Sequence, residues 1–366
     1  MVVKALLLIE QEDTLPLAQL DVLGAPLCVR MADALQAAGV SEVTVVTAFG
    51  HAEAPQFDGR VKFVKSSPET IEDDARDAYA ALAGGADALL LGRLNRYCEI
   101  DWRRLFAAHE SSGERVTRAW AKATEPLDVY VVDPRFQRDV EFLFHSRLLH
   151  TRLETARYPL SDEEYVHPLR SAADLREIAQ DGLHLRCGVR PVGREVRPGV
   201  WMGERARVDA GVRLVAPLYI GKAARVRTGA VITRGSSLEH HSAVDCGTVI
   251  ENSTVLPFAM VGAGLDLTQT VVGAKKVFDL KRRVAVEIHD PALVTESAHN
   301  AGVRVLAKAA SLAAYVPLQF WRGLTQGGGA SPIPETSTRT NEFAPSVINE
   351  TAPLRPELVM ERYGNQ

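Results

Sequence analysis

Residues 196–256 decide the fold of this chain, and they read VRPGVWMGERARVDAGVRLVAPLYIGKAARVRTGAVITRGSSLEHHSAVDCGTVIENSTVL. Every sixth residue of this stretch, from Val196 to Leu256, has an apolar side chain. A period of six fits neither an α-helix, at 3.6 residues per turn, nor a strand that alternates every second residue. It is typical of a chain wound as a triangular prism, with one short strand on each face. The repeat therefore predicts a parallel β-helix over residues 196–290, left-handed as in other hexapeptide-repeat proteins, with a slip in the count near residues 261–262.

Upstream of this stretch, residues 1–150 alternate between strand and helix patterns. Strands are predicted at 2–9, 42–47, 87–91, 115–121 and 128–132, and helices at 27–38, 69–83, 101–111 and 135–150. Such βαβ spacing favours a parallel sheet covered by helices on both faces. Residues 151–195 are expected to connect the two domains and to contain one helix, over 172–181, which begins with a capping box between Ser171 and Asp174.

Composition excludes several classes of protein. The chain has 366 residues, 42 lysines and arginines, 46 acids and a formal net charge of −4, which gives no reason to expect a nucleic-acid partner. Its four cysteines are widely spaced, so neither a zinc site nor a disulfide framework is indicated, and no metal-ligand set is predicted. The first residues do not form a signal peptide and no apolar run is long enough to cross a bilayer. We therefore expect a cytoplasmic protein.

The last part of the chain has two different compositions. Residues 291–324 are predicted to be helical, and the apolar and aromatic stretch 302–324 could either pack back on the protein or make peripheral contact with a membrane surface. Residues 325–366 are rich in Gly, Ser, Pro and Thr and predict a disordered tail.

The two predicted domains together resemble the nucleoside-diphosphate-sugar pyrophosphorylases. The residues that carry the resemblance are Lys4 to Leu8, Leu23 to Leu27, Ala37 to Val40, Glu42-Val43, Leu89 to Gly92, Glu251 to Pro257 and Val261 to Leu265. These proteins are sugar-1-phosphate nucleotidyltransferases, and many end in a left-handed β-helix. The resemblance implies an α/β fold with an N-terminal, Rossmann-like nucleotidyltransferase domain and a C-terminal left-handed parallel β-helix.

The catalytic motif of that family is missing. The family's first loop contains Gly-x-Gly-Thr-Arg followed by a Lys, whereas residues 6–22 contain no Gly, Lys or Arg. Glu10, Glu12 and Asp13 stand there instead, and their charge opposes the docking of a triphosphate. The Gly-Asp that ends the family's metal strand is replaced by Gly92-Arg93. We expect a decayed transferase site in which Gly92 and Arg93 contact the phosphate of a nucleotide sugar, with Mg²⁺ required only if transfer is retained.

A second group of residues suggests a different enzyme class. His240 and His241 lie at a predicted corner of the β-helix, and hexapeptide-repeat acyltransferases use a His as general base with acetyl-coenzyme A as acyl donor. A polar corner that faces solvent or a neighbouring subunit explains the same residues without catalysis.

Three functional hypotheses remain open from the sequence. The first is a nucleotidyltransferase-like protein of nucleotide-sugar metabolism and cell-surface polysaccharide biosynthesis, which binds, regulates or assembles and needs no cofactor. The second is the acyltransferase, and the third is an active sugar-1-phosphate nucleotidyltransferase. Because flat β-helix faces commonly associate, a homo-oligomer is expected, with a trimer favoured.

Overall fold

The computed structural model describes residues 1–10, 17–48, 61–122, 125–136 and 155–296. All of these belong to the first of two structural units, Met1–Lys308. The helices are α1 (Leu27–Ala37), α2 (Ile71–Ala83), α3 (Trp102–Ser112) and α4 (Ala172–Leu183), with short 3-10 helices at Leu17–Gln19 and Pro134–Phe136. The strands before the repeat are β1 (Val3–Ile9), β2 (Asp21–Val22), β3 (Ala25–Pro26), β4 (Glu42–Thr47), β5 (Val61–Lys65), β6 (Ala88–Arg93), β7 (Arg96–Glu99), β8 (Val116–Lys122), β9 (Glu125–Val132), β10 (Ala156–Pro159), β11 (Tyr165–Pro168) and β12 (Arg194–Arg197).

The N-terminal strands build a seven-stranded sheet in the order β10-β8-β9-β6-β1-β4-β5. Strands β1, β4, β5 and β6 run parallel, whereas β9 is antiparallel to its neighbours β6 and β8. Along β1, Ala5, Leu7 and Ile9 face the core that α1 and α3 help to form, while Leu6 and Leu8 face α2. The mixed α/β sheet is therefore buried on both faces, as its nearly continuous apolar strands require.

Local sequence signals explain where several helices begin and end. The Asp101 side chain accepts a hydrogen bond from the Arg104 backbone N–H at 3.1 Å and so caps α3, and Gly113 ends that helix in the left-handed region. The predicted capping box of Ser171 and Asp174 is present at the start of α4. This prediction is confirmed.

The predicted connector needs a correction. Within residues 151–195, β10 pairs with β8 at the edge of the large sheet, and β11 pairs with β7. The segments ARYP (156–159) and YVHP (165–168) lack the aliphatic alternation that marks a strand. Each forms an edge strand and ends in a proline, which is tolerated at a sheet edge. The sequence alone therefore assigns too little of the chain to the N-terminal sheets.

The hexapeptide stretch winds repeatedly through three parallel sheets, and we call residues 200–272 the coil. Its strands are β13 (Val200–Met202), β14 (Arg207–Val208), β15 (Arg213–Leu214), β16 (Leu218–Ile220), β17 (Arg225–Val226), β18 (Val231–Thr233), β19 (Ser237–Leu238), β20 (Ala243–Val244), β21 (Val249–Glu251), β22 (Thr254–Val255), β23 (Ala259–Val261), β24 (Asp266–Thr268) and β25 (Thr270–Val272). Every third strand belongs to the same sheet. This arrangement is compatible with the predicted parallel β-helix, whose handedness stays a prediction.

The inward row of the coil departs from the predicted register in two places. Val196 lies on β12, which is antiparallel to β13, and it is 43% exposed. Farther on, Leu238 pairs with Val255 rather than with the predicted Leu256. Val255 is only five positions after Ile250 instead of six. The corner at Asn252 is one residue shorter than the equivalent corner in the previous turn of the coil, at Arg234-Gly235. The slip in the count thus comes before residues 261–262.

The chain turns back after the coil. Three further strands follow, and all of them pair antiparallel: β26 (Lys276–Asp279), β27 (Val284–Glu287) and β28 (Val294–Glu296). Strand β26 pairs with β25 and with β27, and β28 pairs with β23. The parallel coil therefore ends at Val272, whereas the sequence predicts a parallel β-helix up to residue 290.

One face of the coil packs against the N-terminal part of the chain. The inward side chains of the coil form their own core, which includes Ile220, Val226, Ile232, Leu238, Val244, Ile250 and Val255. Tyr219, Leu256 and Val271 belong instead to the core of the N-terminal sheet. The face of the coil made by β16, β22 and β25 is thus buried, and the coil and sheet share apolar surface.

Several predictions lie outside the described residues. These are the acids Glu12 and Asp13, residues 137–150 of the helix predicted at 135–150, residues 297–324 of the predicted helical segment 291–324, and the tail 325–366. The described start of that segment is not helical, because Val294–Glu296 form β28. Among the residues that the structure describes, no helix is both long and apolar enough to cross a membrane.

Candidate functional site

The carboxyl edge of the parallel strands is the candidate site. After β1 the chain adds β4 and β5 on one side of that strand, and it then places β6 on the other side. In open α/β sheets this change of direction leaves a crevice outside the strand ends, and ligands bind there. Glu10 follows β1 and Arg93 ends β6, so both residues lie at this crevice. The sequence prediction placed the same Arg93 at a phosphate site.

Arg93 is held in place by a carboxylate. Its Nη1 lies 3.0 Å from Glu10 Oε1 and 3.2 Å from Oε2. The Arg93 side chain is 8% exposed and that of Glu10 is 27% exposed, so solvent screens this ion pair only in part. Gly92 packs tightly beside it, because a Cβ there would lie 3.1 Å from Leu7 Cδ2. Arg93 is therefore buried and neutralised, with its carboxylate partner on the open side of the crevice.

The neighbouring carboxylates, Asp128 and Glu125, also form ion pairs with arginines. Asp128 Oδ1 accepts from Arg118 Nη2 at 3.2 Å, and its Oδ2 accepts from Asn95 Nδ2 at 2.8 Å. Glu125 Oε1 lies 2.5 Å from the Nη1 of the nearby Arg96, which holds the pKa of Glu125 below its usual value. Among the described residues no group of three or more acids, histidines or cysteines could hold a metal ion. The Mg²⁺ that nucleotidyl transfer implies does not fit the described residues at this edge.

A tight hairpin, residues 21–26, follows the 3-10 helix Leu17–Gln19. Its strands β2 and β3 are joined by Leu23 and Gly24, both with positive φ, of 55° and 93°. These are the conformations of a type I′ turn, which suits the twist of a two-residue hairpin. Just before the hairpin, Gln19 Nε2 donates to the Oγ1 of Thr47, the last residue of β4. The hairpin is thus tied to the carboxyl edge of the sheet.

The coil supplies the partner for the turn of the hairpin. Glu239 is fully buried, and its Oε1 accepts from the Leu23 N–H at 3.1 Å while Oε2 accepts from the Gly24 N–H at 3.0 Å. Burial, and then the nearby Asp21, raise the pKa of Glu239 to about 8. The carbonyl groups of Val22 and Leu23 accept from Arg30 Nη2 at 2.9 and 3.2 Å. The side chains of Glu239 and Arg30 therefore satisfy both donors and acceptors of this turn.

The two predicted acyltransferase histidines lie at the same junction. His240 Nδ1 is 2.5 Å from Asp21 Oδ2, and its ring meets those of His241 and Phe258 edge-on, with centroids 5.5 and 4.9 Å away. His241 stacks on Phe258 at 5.1 Å. Their use as general bases stays a prediction. In this structure, His240 links the coil to the hairpin.

Sequence reasoning identified His240 and His241 but missed the other residues of the junction. Glu239 and the hairpin turn are more than 200 positions apart, and no local pattern links a carboxylate to two distant N–H groups. Arg176 on α4 was missed for the same reason. It is 2% exposed and donates to Gly235 O at 2.6 Å and to Asn252 Oδ1 at 2.9 Å. A charged residue inside an otherwise apolar pattern was the available signal.

Comparison with known proteins identifies partial similarities in sequence and in structure. No protein-family model matches the chain. Over 114 residues it is 31% identical to a UTP–glucose-1-phosphate uridylyltransferase from Synechocystis sp. (strain ATCC 27184 / PCC 6803 / Kazusa). That match covers 30% of this chain and 29% of the relative. The crystal structure of HddC from Yersinia pseudotuberculosis aligns with a TM-score of 0.39 and 10% identity, over 50% of this chain and 99% of HddC. The sequence similarity supports a nucleotidyltransferase-like protein.

Proposed function

We propose that the N-terminal sheet binds a nucleoside-diphosphate sugar at its carboxyl edge and does not transfer the nucleotidyl group. The observation that carries the proposal is the Arg93–Glu10 ion pair at the crevice between β1 and β6. A guanidinium binds carboxylate and phosphate oxygens with the same geometry. In the free protein, Glu10 therefore takes the place on Arg93 that a ligand phosphate would take.

Binding would proceed by exchange of anions. The diphosphate displaces the Glu10 carboxylate from Arg93, and Glu10, already 27% exposed, turns to solvent. Such an exchange keeps the buried guanidinium paired throughout, which avoids the cost of an uncompensated buried charge. The ligand class is suggested by the similarity to an enzyme named for UTP and glucose 1-phosphate. UDP-glucose, which contains the uridylyl group of UTP linked to glucose 1-phosphate, is the first probe.

Transfer is not expected because its electrostatic requirements are missing. A triphosphate needs cations around the reacting phosphate and carboxylates to hold Mg²⁺. The described carboxylates at this edge are Glu10, Glu125 and Asp128, and each is paired with an arginine. Residues 6–22 provide no glycine, lysine or arginine to hold the phosphates.

The test combines binding with turnover. Thermal unfolding is recorded with UDP-glucose, with UDP and with UTP plus Mg²⁺, and pyrophosphate release is measured with UTP and glucose 1-phosphate. We expect UDP-glucose to raise the unfolding midpoint. At 100 times its Kd the ligand should stabilise the folded protein by about 2.7 kcal/mol. No pyrophosphate should be released. Arg93→Gln should remove the shift.

Lys4→Gln is the matched control. Lys4 pairs with Glu42 at 3.4 Å at the opposite, amino edge of the same sheet, so its loss should leave the ligand shift unchanged. Pyrophosphate release above background would overturn the claim that transfer is lost. Absence of a midpoint shift with UDP-glucose and with UDP would overturn the binding claim.

A further inference from the structure

The junction between coil and hairpin has a feature that packing alone does not require. Both oxygens of one buried carboxylate, Glu239, bind consecutive N–H groups of the turn, Leu23 and Gly24. Around it, Asp21 binds His240, and Tyr219 Oη donates to Val192 O at 3.1 Å. Burying a carboxyl group costs free energy unless it is hydrogen-bonded, and here each oxygen accepts from an N–H group that an apolar residue would leave without this acceptor. What the carboxylate adds is a fixed position for the turn.

The position of the turn matters for the candidate site. The hairpin begins at Asp21, two residues after Gln19, whose side chain donates to Thr47 at the end of β4. Thr47 is the register partner of Ile9, which directly precedes Glu10. A continuous set of contacts thus leads from the coil, through the hairpin, to the edge where Glu10 and Arg93 lie.

We propose that Glu239 is a positioning residue: from the coil it holds the hairpin, and with it the ligand-binding edge of the N-terminal sheet, in the binding conformation. This inference rests on the proposed function for the identity of the ligand. It gives the coil a role in that function, because the carboxylate of one part of the chain orders the backbone at the site of the other. We call the contact of Glu239 with the Leu23 and Gly24 N–H groups the anchor. The coupling is reciprocal, because a ligand that needs the ordered edge must in turn stabilise the hairpin.

The first measurement is amide hydrogen exchange at Leu23 and Gly24 in the full chain without ligand. In Glu239→Gln one side-chain oxygen becomes an NH₂ group, which cannot accept, so one of the two N–H groups loses its partner. We expect exchange at these two amides to be faster by about tenfold or more, with other amides of the N-terminal sheet little changed. Glu204→Gln, an exposed coil residue whose side chain is 72% exposed, is the control and should change neither amide.

The second measurement begins with the wild-type protein, and this first part covers the case in which Glu239→Gln does not fold. In the wild-type protein, UDP-glucose should slow exchange at Leu23 and Gly24, and in Glu239→Gln this slowing and the affinity for UDP-glucose should both fall. A purely structural anchor would lower stability without coupling the ligand to these amides.

The outcomes separate the two proposals. Unchanged exchange at Leu23 and Gly24 in Glu239→Gln without ligand would overturn the anchor, whatever the ligand does. UDP-glucose binding that leaves these amides unaffected in the wild type would overturn the positioning role. Faster exchange in the variant combined with no binding of UDP-glucose or UDP to the wild type would overturn the proposed function and, with it, the positioning role, while leaving the anchor in place.

Discussion

At the scale of single residues, buried ionisable side chains are the unusual feature of this protein. Arg93, Arg176 and Glu239 are each at most 9% exposed, although such residues are rarely buried without partners. Arg93 has a carboxylate partner at 3.0 Å, whereas Arg176 and Glu239 bind mainly backbone groups of distant segments. Each of these side chains therefore fixes the position of another part of the chain.

Glu239 predicts a pH dependence of stability. Burial raises its folded-state pKa to about 8 from an ordinary 4.5, so between these values the folded protein keeps a proton that the unfolded chain releases. The free energy of unfolding should therefore fall as pH rises from about 5 to 8, by on the order of 3 kcal/mol from this residue. Urea unfolding of wild type and Glu239→Gln at several pH values measures it.

The difference between the two proteins is the quantity to compare, because other groups titrate in both. The stability advantage of the wild type over Glu239→Gln should shrink as pH rises, whereas that over Glu204→Gln should stay constant. A wild-type advantage that grows with pH would show that the two N–H bonds outweigh burial, with a lowered pKa in the folded state.

At the scale of elements, the short corner of the coil makes a prediction about register. Val255 is fully buried in the coil core, whereas Val196 is 43% exposed on β12, although both stand near predicted stops of the six-residue pattern. Val255→Ala should lower the free energy of unfolding by roughly 2–3 kcal/mol, because apolar burial is lost and a cavity remains. Val196→Ala should change it by no more than about 0.5 kcal/mol. Equal losses would contradict the burial of Val255 in the coil core and the exposure of Val196.

Helix α4 makes a second prediction at this scale, because Arg176 fastens it to two corners of the coil. Replacing Arg176 by Met should leave Gly235 O and Asn252 O without this donor and cost about 2–4 kcal/mol in urea unfolding. Arg186, whose side chain is 66% exposed, pairs with Asp181 at 3.4 Å on the same segment, and Arg186→Met should cost little. A small loss for Arg176→Met would mean that apolar packing alone holds α4 to the coil.

Elements could be predicted from the sequence where local rules decide them. The strand at 42–47, the cap at Asp101 and the capping box at Ser171 follow from periodicity and side-chain chemistry within a few residues. Strands β10 and β11 could not be predicted, because their partners β8 and β7 decide them and their own sequences carry no alternation. The same limit applies to the corner at Asn252, where one missing residue shifts the register.

At the scale of the whole molecule, the sheet and the coil are joined by polar contacts as well as by shared apolar core. Glu239 and His240 of the coil bind the hairpin, and Arg176 of α4 binds the coil. The sequence identified Arg93 and both histidines as residues of interest. It could not show that Glu10 neutralises Arg93 or that Asp21 binds His240, since both pairs form only when distant segments meet. The predicted homo-oligomer stays a prediction.

The most direct test of the account is isothermal titration of UDP-glucose into wild type, Glu10→Gln and Glu42→Gln. If Glu10 stands in for a ligand phosphate on Arg93, Glu10→Gln should bind at least about fivefold more tightly, because it removes both a competitor and a repulsive charge. Glu42→Gln, which breaks the ion pair at the amino edge, should bind like wild type. Equal or weaker binding by Glu10→Gln would contradict the account.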